Sequence, residues 1–258
     1  MKIGIIGGSG LDDPRLFQEQ EEKEIDTPFG KPSSKITCGK ISGINVCILS
    51  RHGRKHNLPP SQVNYRANIY ALGKLGCTHI LATTAAGSLK EEIKRGDFVI
   101  LDQFIDFTKQ RKESFFEQFE EKPEHASLAE PFSNFLREKI METCKELGIQ
   151  YHSKGTLVTI EGPRFSTRAE SRMFRLLGGD VINMSIAPEA ILAREAGLEY
   201  AAIAMSTDYD CWKIDEKPVS WDEILMIFTE NADKMKKLLV KVVEKLSESE
   251  KIEENERI

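Results

Sequence analysis

The chain has 258 residues, 40% of them hydrophobic and 30% charged, and carries a formal net charge of −5. That suits one large α/β domain or two small ones, and the acidic balance gives no electrostatic reason to expect nucleic acid or an anionic membrane as partner. No apolar run approaches bilayer length, and Met1-Lys2-Ile3-Gly4-Ile5-Ile6 is too short and too soon broken by glycine for a signal peptide, so a cytoplasmic chain is expected.

Lys2 to Ile6 reads as a short buried strand, followed at once by the turn Gly7-Gly8-Ser9-Gly10. Asn45 to Ser50 reads as another strand, ending in Arg51-His52-Gly53-Arg54. Beyond Pro59-Pro60, Gln62 to Leu75 reads as a helix stopped by Gly76. Thr78 to Thr84 then forms a strand that opens into Ala85-Ala86-Gly87-Ser88, and Asp97 to Leu101 is a further apolar run. Asp106 to Ala129 reads as a long irregular excursion. A helix from Pro131 to Leu147 carries Leu136, Ile140, Cys144 and Leu147 on one face. Strands follow at Gly155 to Ile160 and Asp180 to Asn183, with a helix from Thr167 to Leu177 between them. Ala187 to Ala196 is helical, and Tyr200 to Ser206 is the last strong strand. Ser220-Trp221-Asp222-Glu223 has the form of a capping box, with Val219 and Ile224 as its hydrophobic staple. The helix it opens runs to about Leu246, leaving a charged, frayed tail. With no repeat, linker or composition break, one α/β domain is expected. The five cysteines (Cys38, Cys47, Cys77, Cys144, Cys211) show no CxxC or zinc spacing, and reduced, buried thiols are expected for those in apolar runs.

The stretch Thr207-Asp208-Tyr209-Asp210-Cys211-Trp212 carries the most chemistry. Positions i and i+2 of a strand share a face, so Asp208 and Asp210 would point into one cavity where the strand leaves the sheet. Two carboxylates that close cannot both ionise cheaply, and one is expected to keep its proton near neutral pH. A protonated acid beside an ionised one offers a donor and an acceptor, which matches the N7 and N6 edge of a 6-aminopurine. The alternative is an Asx-rich turn that merely ends a strand.

The glycine turn invites a dinucleotide reading, but G-x-G-x-x-G from Gly8 needs glycine where Asp13 stands, and from Gly4 needs it where Ile6 stands. A nicotinamide-dependent oxidoreductase rests on that turn alone. What remains is a turn whose amides and Ser9 hydroxyl could grip one anion. Arg51 offers a planar fork to phosphate and His52 a second donor. His52 and His56 lack a third ligand, so no metal is expected. Thr83-Thr84 and Ser185 add hydroxyls at other strand ends, the arrangement of a ligand crevice in an α/β sheet.

Five motifs in order, Gly7-Gly8-Ser9-Gly10-Leu11, Arg51-His52-Gly53-Arg54, Asn64-Tyr65-Arg66-Ala67-Asn68, Glu161-Gly162-Pro163-Arg164-Phe165 and Thr207-Asp208-Tyr209-Asp210, resemble the trimeric purine nucleoside phosphorylase family and, within it, the 5′-methylthioadenosine phosphorylases. The likeness runs from about Lys2 to Leu246. It implies a single α/β domain over 1–246 with a charged tail over 247–258. The implied fold is a mixed central sheet curling towards a barrel, wrapped by helices and assembled as a homotrimer. It implies phosphate held by Ser9, Arg51, His52, Thr84 and Ser185, the ribose near Met184, Phe165 on the base, Ala85 lining the site, and the base edge at Asp208 and Asp210. His125 matches a residue that a neighbouring subunit sends into the 5′ pocket. Inorganic phosphate is the co-substrate, with no cofactor and no metal.

Two positions bear on the purine. Relatives that cleave 6-oxopurine nucleosides typically carry glutamate after the stacking phenylalanine and asparagine where Asp208 stands; here the first is Ser166. Both departures imply an aminopurine, with phosphorolysis of 5′-methylthioadenosine expected and a methylthioinosine or broader purine nucleoside phosphorylase as the alternative. A non-catalytic nucleoside-binding module would leave Arg51 and His52 without a purpose. Trp221 and Ile224 are candidates to lie against the methylthio group, although Ile224 reads equally well as core. Many relatives continue further at the C-terminus, so part of the 5′ lid is expected to be absent and plain adenosine to be accepted.

Overall fold

The computed structural model describes residues 1–7, 18–120, 122–216 and 220–256, the side chains of 250–256 excepted. Its strands are β1 (Lys2–Gly7), β2 (Gln18–Lys23), β3 (Ile36–Ile41), β4 (Ile44–Ser50), β5 (His79–Ser88), β6 (Phe98–Ile100), β7 (Gln103–Phe107), β8 (Tyr151–His152), β9 (Thr156–Ile160), β10 (Val181–Asn183) and β11 (Glu199–Tyr209). The helices are α1 (Tyr65–Lys74), α2 (Asn134–Glu146), α3 (Arg168–Leu176), α4 (Ile186–Glu195) and α5 (Trp221–Glu256).

All these strands join one mixed sheet, ordered β2-β3-β4-β1-β5-β10-β9-β7, with β11, β6 and β8 branching from β5. It does not close into a barrel. β5 pairs along its whole length with β11, in parallel, from His79 opposite Glu199 to Ser88 opposite Tyr209. Its other edge changes partner: β1 covers His79 to Ala82, and β10 covers only Gly87 and Ser88, running antiparallel. Between them, Thr83 to Ala86 lack a strand partner on that edge among the described residues.

The long apolar runs are explained by helices on both faces. Along β11, Tyr200, Ala202 and Ala204 pack with Ile69, Leu72 and Ala190 on the α1 and α4 side, while Ala201, Ile203 and Met205 pack with Ile140, Leu238 and Val242 on the α2 and α5 side. Helix starts follow the sequence cues. Asn64, Ser133 and Ser220 accept from the amides of Ala67, Leu136 and Glu223, and Thr167 with Glu170 completes a capping box. Gly76 ends α1 at φ +83°, a conformation that a side chain disfavours.

The structure departs from the sequence reading in several places. β2, β3, β7 and β8 were not expected, and β7 runs into the start of the expected irregular excursion; β2 reads Gln-Glu-Gln-Glu-Glu-Lys and is an exposed edge strand without the apolar alternation that signals a strand. β5 and β11 run on to Ser88 and Tyr209, beyond the expected ends at Thr84 and Ser206. α5 extends to Glu256 rather than ending near Leu246, and within the expected span Lys241 and Lys245 pair with Glu146 of α2. Lastly, Cys38 and Cys47 are not reduced thiols. They face each other across the antiparallel β3–β4 pair, with Cα atoms 4.2 Å apart, and form a disulfide. Val219, the expected staple residue, lies outside the described residues.

Leu238 is fully buried in the middle of α5, between the sheet and α2. Leu238→Ala should cost about 2–5 kcal/mol through the cavity left behind, measured as a lowered urea midpoint at unchanged slope.

Candidate active site

The gap on the edge of β5 is the floor of a cavity of about 1050 Å³. Thr83 to Gly87 lie along it, the ends of β4, β9, β10 and β11 surround it, and one face of α5 from Trp221 to Lys236 closes a side. This is the switch point where open α/β sheets place ligands.

Arg51 leaves the sheet where β1 and β4 end together, its amide donating to the Gly7 carbonyl at 3.0 Å. The guanidinium is buried and already engaged. Nε donates to Glu189 Oε1 at 2.5 Å, Nη2 to Glu189 Oε2 at 2.9 Å, and Nη1 to the Thr83 carbonyl, in the gap, at 2.8 Å. Burial works against its charge, but Glu189 more than offsets this and the pKa is raised. A guanidinium has five N–H groups. Among the described residues three are taken, which leaves one on each terminal nitrogen to meet an anion.

His52 corrects an expectation. Its Nδ1 lies 2.9 Å from the Leu58 carbonyl, which can only accept, so the ring proton belongs there. Burial, followed by the neighbouring Arg51 charge, pushes its pKa down to about 4. The neutral ring has no second N–H, and Nε2 is an acceptor rather than the extra donor expected. The ring stacks on His56 at 4.7 Å, and His56 leans on Trp221 at 5.0 Å.

Across the gap, Asn183 organises the hydroxyls. Its amide nitrogen donates to Thr84 Oγ1 at 3.1 Å and Ser185 Oγ at 3.4 Å, while its oxygen accepts from Thr159 Oγ1 at 3.0 Å. Ser185 is the N-cap residue of α4 but makes no side-chain cap. Its hydroxyl is therefore available beside a helix N-terminus, where anions are favoured.

Both aspartates line the opposite wall and are buried. Asp208 follows a register shift in β11, and its Oδ1 accepts from Thr207 Oγ1 at 2.8 Å. A side chain at Gly87 would lie 2.9 Å from Asp208 Oδ2 and 3.5 Å from the Asp210 Cβ, so both acids sit over the same glycine. Burial, opposed by the Thr207 hydrogen bond and assisted by the Asp210 charge, raises the Asp208 pKa from 3.8 to about 6. Burial also raises Asp210, against the pull of Ser171, the Cys211 amide and Ser166. Desolvation, rather than mutual repulsion, is thus the leading cause, and Asp208 without ligand is mostly ionised at neutral pH. Oδ2 of Asp210 is buried with no hydrogen-bond partner among the described residues.

Of the expected site residues, Arg51, His52, Thr84, Ala85, Phe165, Met184, Ser185, Asp208, Asp210, Trp221 and Ile224 all line this cavity. Phe165 and Trp221 are half exposed at its mouth, and Ile224 is buried in its wall. His125 is not among the lining residues; it is exposed, 5.7 Å from the Phe119 ring. Ser9 lies outside the described residues.

Residues 2–244 match the family model described as the phosphorylase superfamily. The chain belongs to that superfamily. Within it, the chain is 54% identical to the S-methyl-5′-thioadenosine phosphorylase of Xenopus tropicalis over 96% of its length and 89% of the relative's. It is 52% identical to the enzyme of that name from Pyrococcus abyssi, over 97% and 95%. It is therefore a member of the methylthioadenosine phosphorylase family. Among solved structures, the methylthioadenosine phosphorylase of Schistosoma mansoni in complex with adenine superposes with a TM-score of 0.91 at 41% identity, covering 100% of this chain and 96% of that one.

Sequence reasoning missed Glu189 and Arg111. Glu189 was detectable as the lone acid in the otherwise apolar helical run Ile186–Ala193. Arg111 sits inside the excursion, where no pattern marks it. Its buried side chain donates to the Pro60, Glu161 and Met184 carbonyls and lies 3.2 Å from the Glu161 carboxylate, fastening the excursion to the cavity wall.

The raised Asp208 pKa fixes a pH dependence. From about 4 to about 6 the folded state holds a proton that the unfolded chain has released, so this group's stabilisation is full below the window and lost as pH rises through it. Asp208→Asn should therefore stabilise the fold by about 1–3 kcal/mol more above that window than below it, read from urea unfolding in acid and in mild alkali.

Proposed function

We propose that the protein cleaves the N-glycosidic bond of 5′-methylthioadenosine with inorganic phosphate, giving adenine and 5-methylthioribose 1-phosphate. The observation that carries this reading is the wall opposite the anion donors: a carboxyl that gains a proton near pH 6 beside a buried carboxylate oxygen lacking a donor. Protonated Asp208 donates to the adenine N7, and Asp210 accepts from the 6-amino group. A 6-oxopurine presents an acceptor at that second position and would leave two acceptors facing each other. The names of the relatives, and the Schistosoma mansoni structure of a variant in complex with methylthioadenosine, support the same reading.

Phosphate sits between the Arg51 guanidinium, Thr84, Ser185 and the α4 N-terminus, with Ser9 as a further donor. Neutral His52 accepts a hydrogen bond at Nε2 from the P–OH of hydrogen phosphate, which keeps its proton. As the C1′–N9 bond breaks, its electron pair leaves with the base, and Asp208 transfers its proton to N7. The sugar becomes cation-like and is captured by a phosphate oxygen, forming the new C1′–O bond. No enzyme nucleophile is needed; positioning and electrostatics do the chemistry. Met184 lies at the ribose, Phe165 covers the base, and Trp221 with Ile224 flanks the methylthio group.

The same reading makes the protein a cytoplasmic homotrimer in which residues 1–246 form the catalytic unit. Exposed Phe116, Phe119 and His125 in the excursion, together with Leu176 and Leu177 of α3, supply apolar surface for a neighbour, and His125 then enters the neighbour's 5′ pocket.

Phosphate-dependent adenine release from methylthioadenosine tests the activity; absence of release with folded protein would end the proposal. Asp208→Ala should lower kcat by ~10²–10⁴-fold, the usual worth of a general acid. Asp208→Asn should shift the kcat/KM ratio from methylthioadenosine towards methylthioinosine, and an unchanged ratio counts against the assigned role. Because Asp208 is mostly ionised before ligand arrives, adenine binding near neutral pH should take up about one proton and weaken as pH rises above about 6. Calorimetry in buffers of different ionisation enthalpy reads that proton directly.

A further inference from the structure

Arg51 does not hold its own position. Glu189 grips it side-on through Nε and Nη2, and the Tyr200 hydroxyl donates to the same Glu189 Oε2 at 2.8 Å. We propose that Glu189, braced by Tyr200, is a positioning residue for the anion subsite: it orients Arg51 so that the one remaining N–H on each terminal nitrogen meets the incoming phosphate. This rests on reading the cavity as a phosphorolysis site.

Three observations carry the inference. Glu189 is fully buried among Ile186, Ala190 and Ala193, where an unpaired carboxylate would be very costly. Among the described residues its two oxygens accept three hydrogen bonds, two from Arg51 and one from Tyr200, and these partners explain its place in the helix. Ser185 and Glu189 are four residues apart at the start of α4, and such positions share a helix face. One rigid turn therefore sets the spacing between a phosphate-facing hydroxyl and the clamp on Arg51. Finally, the Thr83 carbonyl takes an Nη1 proton in the gap of the sheet, so the guanidinium is fixed from two sides and cannot rotate without breaking one of them.

The pairing also changes what Arg51 contributes. The Glu189 charge largely cancels the guanidinium at a distance, so phosphate is selected by the direction of two N–H groups rather than by net charge. Directional recognition of this kind depends on the clamp. Glutamine in place of Glu189 keeps the shape but turns one acceptor into a donor. Whichever way its amide lies, a donor then faces a donor of Arg51, and the fork turns away.

The test uses full-length Glu189→Gln and Tyr200→Phe with methylthioadenosine and phosphate varied separately, plus calorimetric titration of inorganic phosphate alone. Glu189→Gln should raise the phosphate KM and Kd by about tenfold or more while the nucleoside KM stays within about twofold. Tyr200→Phe should move the phosphate constants in the same direction by about two- to fivefold. Unchanged phosphate affinity in folded Glu189→Gln overturns the inference, and so does an equal loss of both substrates, which marks a pair that only supports the core. If Glu189→Gln does not fold, Tyr200→Phe decides, and an unaltered phosphate KM overturns the role. Wild-type protein that releases no adenine defeats the functional reading, but the phosphate titration still judges the clamp.

Discussion

The partner change on β5 is the constraint from which the site follows. β11 stays paired in parallel with β5 from His79 to Ser88, with one register shift between Ser206 and Asp208, so β5 is held on that edge while its other edge changes partner. The pairing of β1 with β5 stops at Ala82 and that of β10 starts at Gly87, which leaves Thr83 to Ala86 without a strand partner on that edge among the described residues. Buried backbone groups need partners, and Arg51 supplies one to the Thr83 carbonyl. A cation is thus drawn into the sheet by an architectural vacancy. The same gap exposes Thr84, Ala85 and Gly87 to a ligand. At Gly87 the lack of a side chain is what lets Asp208 and Asp210 lie close over the strand.

Around this gap the charges are largely cancelled before any ligand arrives. Arg51 is paired with Glu189 and His52 is held neutral, while Asp208 on the opposite wall keeps its charge above about pH 6. For the phosphate dianion proposed as co-substrate, such a site would act less through net charge than through oriented donors: two N–H groups, the Ser185 hydroxyl and the α4 N-terminus. In a water-poor cavity such preorganised dipoles act strongly and would need no rearrangement as electron density moves from phosphate through the sugar to the base. The asymmetry between the walls also assigns the ligand's orientation. One side offers donors to an anion, and the other offers a switchable acid beside an acceptor that lacks a donor.

Much of this was legible in the chain. The apolar runs of β1, β4, β5 and β11 announced strands, and Thr167 and Ser220 announced helix starts. Eleven cavity residues were identified from strand-end chemistry and family likeness. What escaped was set by long-range pairing. β2 exists because β3 offers it an edge, not because Gln-Glu-Gln-Glu-Glu-Lys prefers to be extended. The Cys38–Cys47 bond depends on the β3–β4 register, which spacing alone does not reveal. Glu189 meets Arg51 from 138 positions away, and His52 loses its donor to Leu58 through a local loop that carries no sequence pattern. The i, i+2 argument placed both aspartates on one wall. It gave the wrong leading cause for the shared proton, because burial depends on tertiary packing.

That cause matters for why an aspartate stands at position 208. Were repulsion from Asp210 the main influence, ligand donors that satisfy Asp210 would relieve it and lower the Asp208 pKa just when its proton is needed. Desolvation acts the other way. A purine filling the cavity displaces water and buries the carboxyl further, and an N7 lone pair facing it favours the protonated form. On the proposed reading, occupancy by an aminopurine protonates the acid that is to serve it, while an empty site leaves the carboxylate mostly ionised at neutral pH. An asparagine would donate at any pH but would have no proton to give as the base departs. The proposed role thus couples recognition to proton delivery, with the depth of the pocket, more than the nearness of a second acid, as the leading cause of the shift.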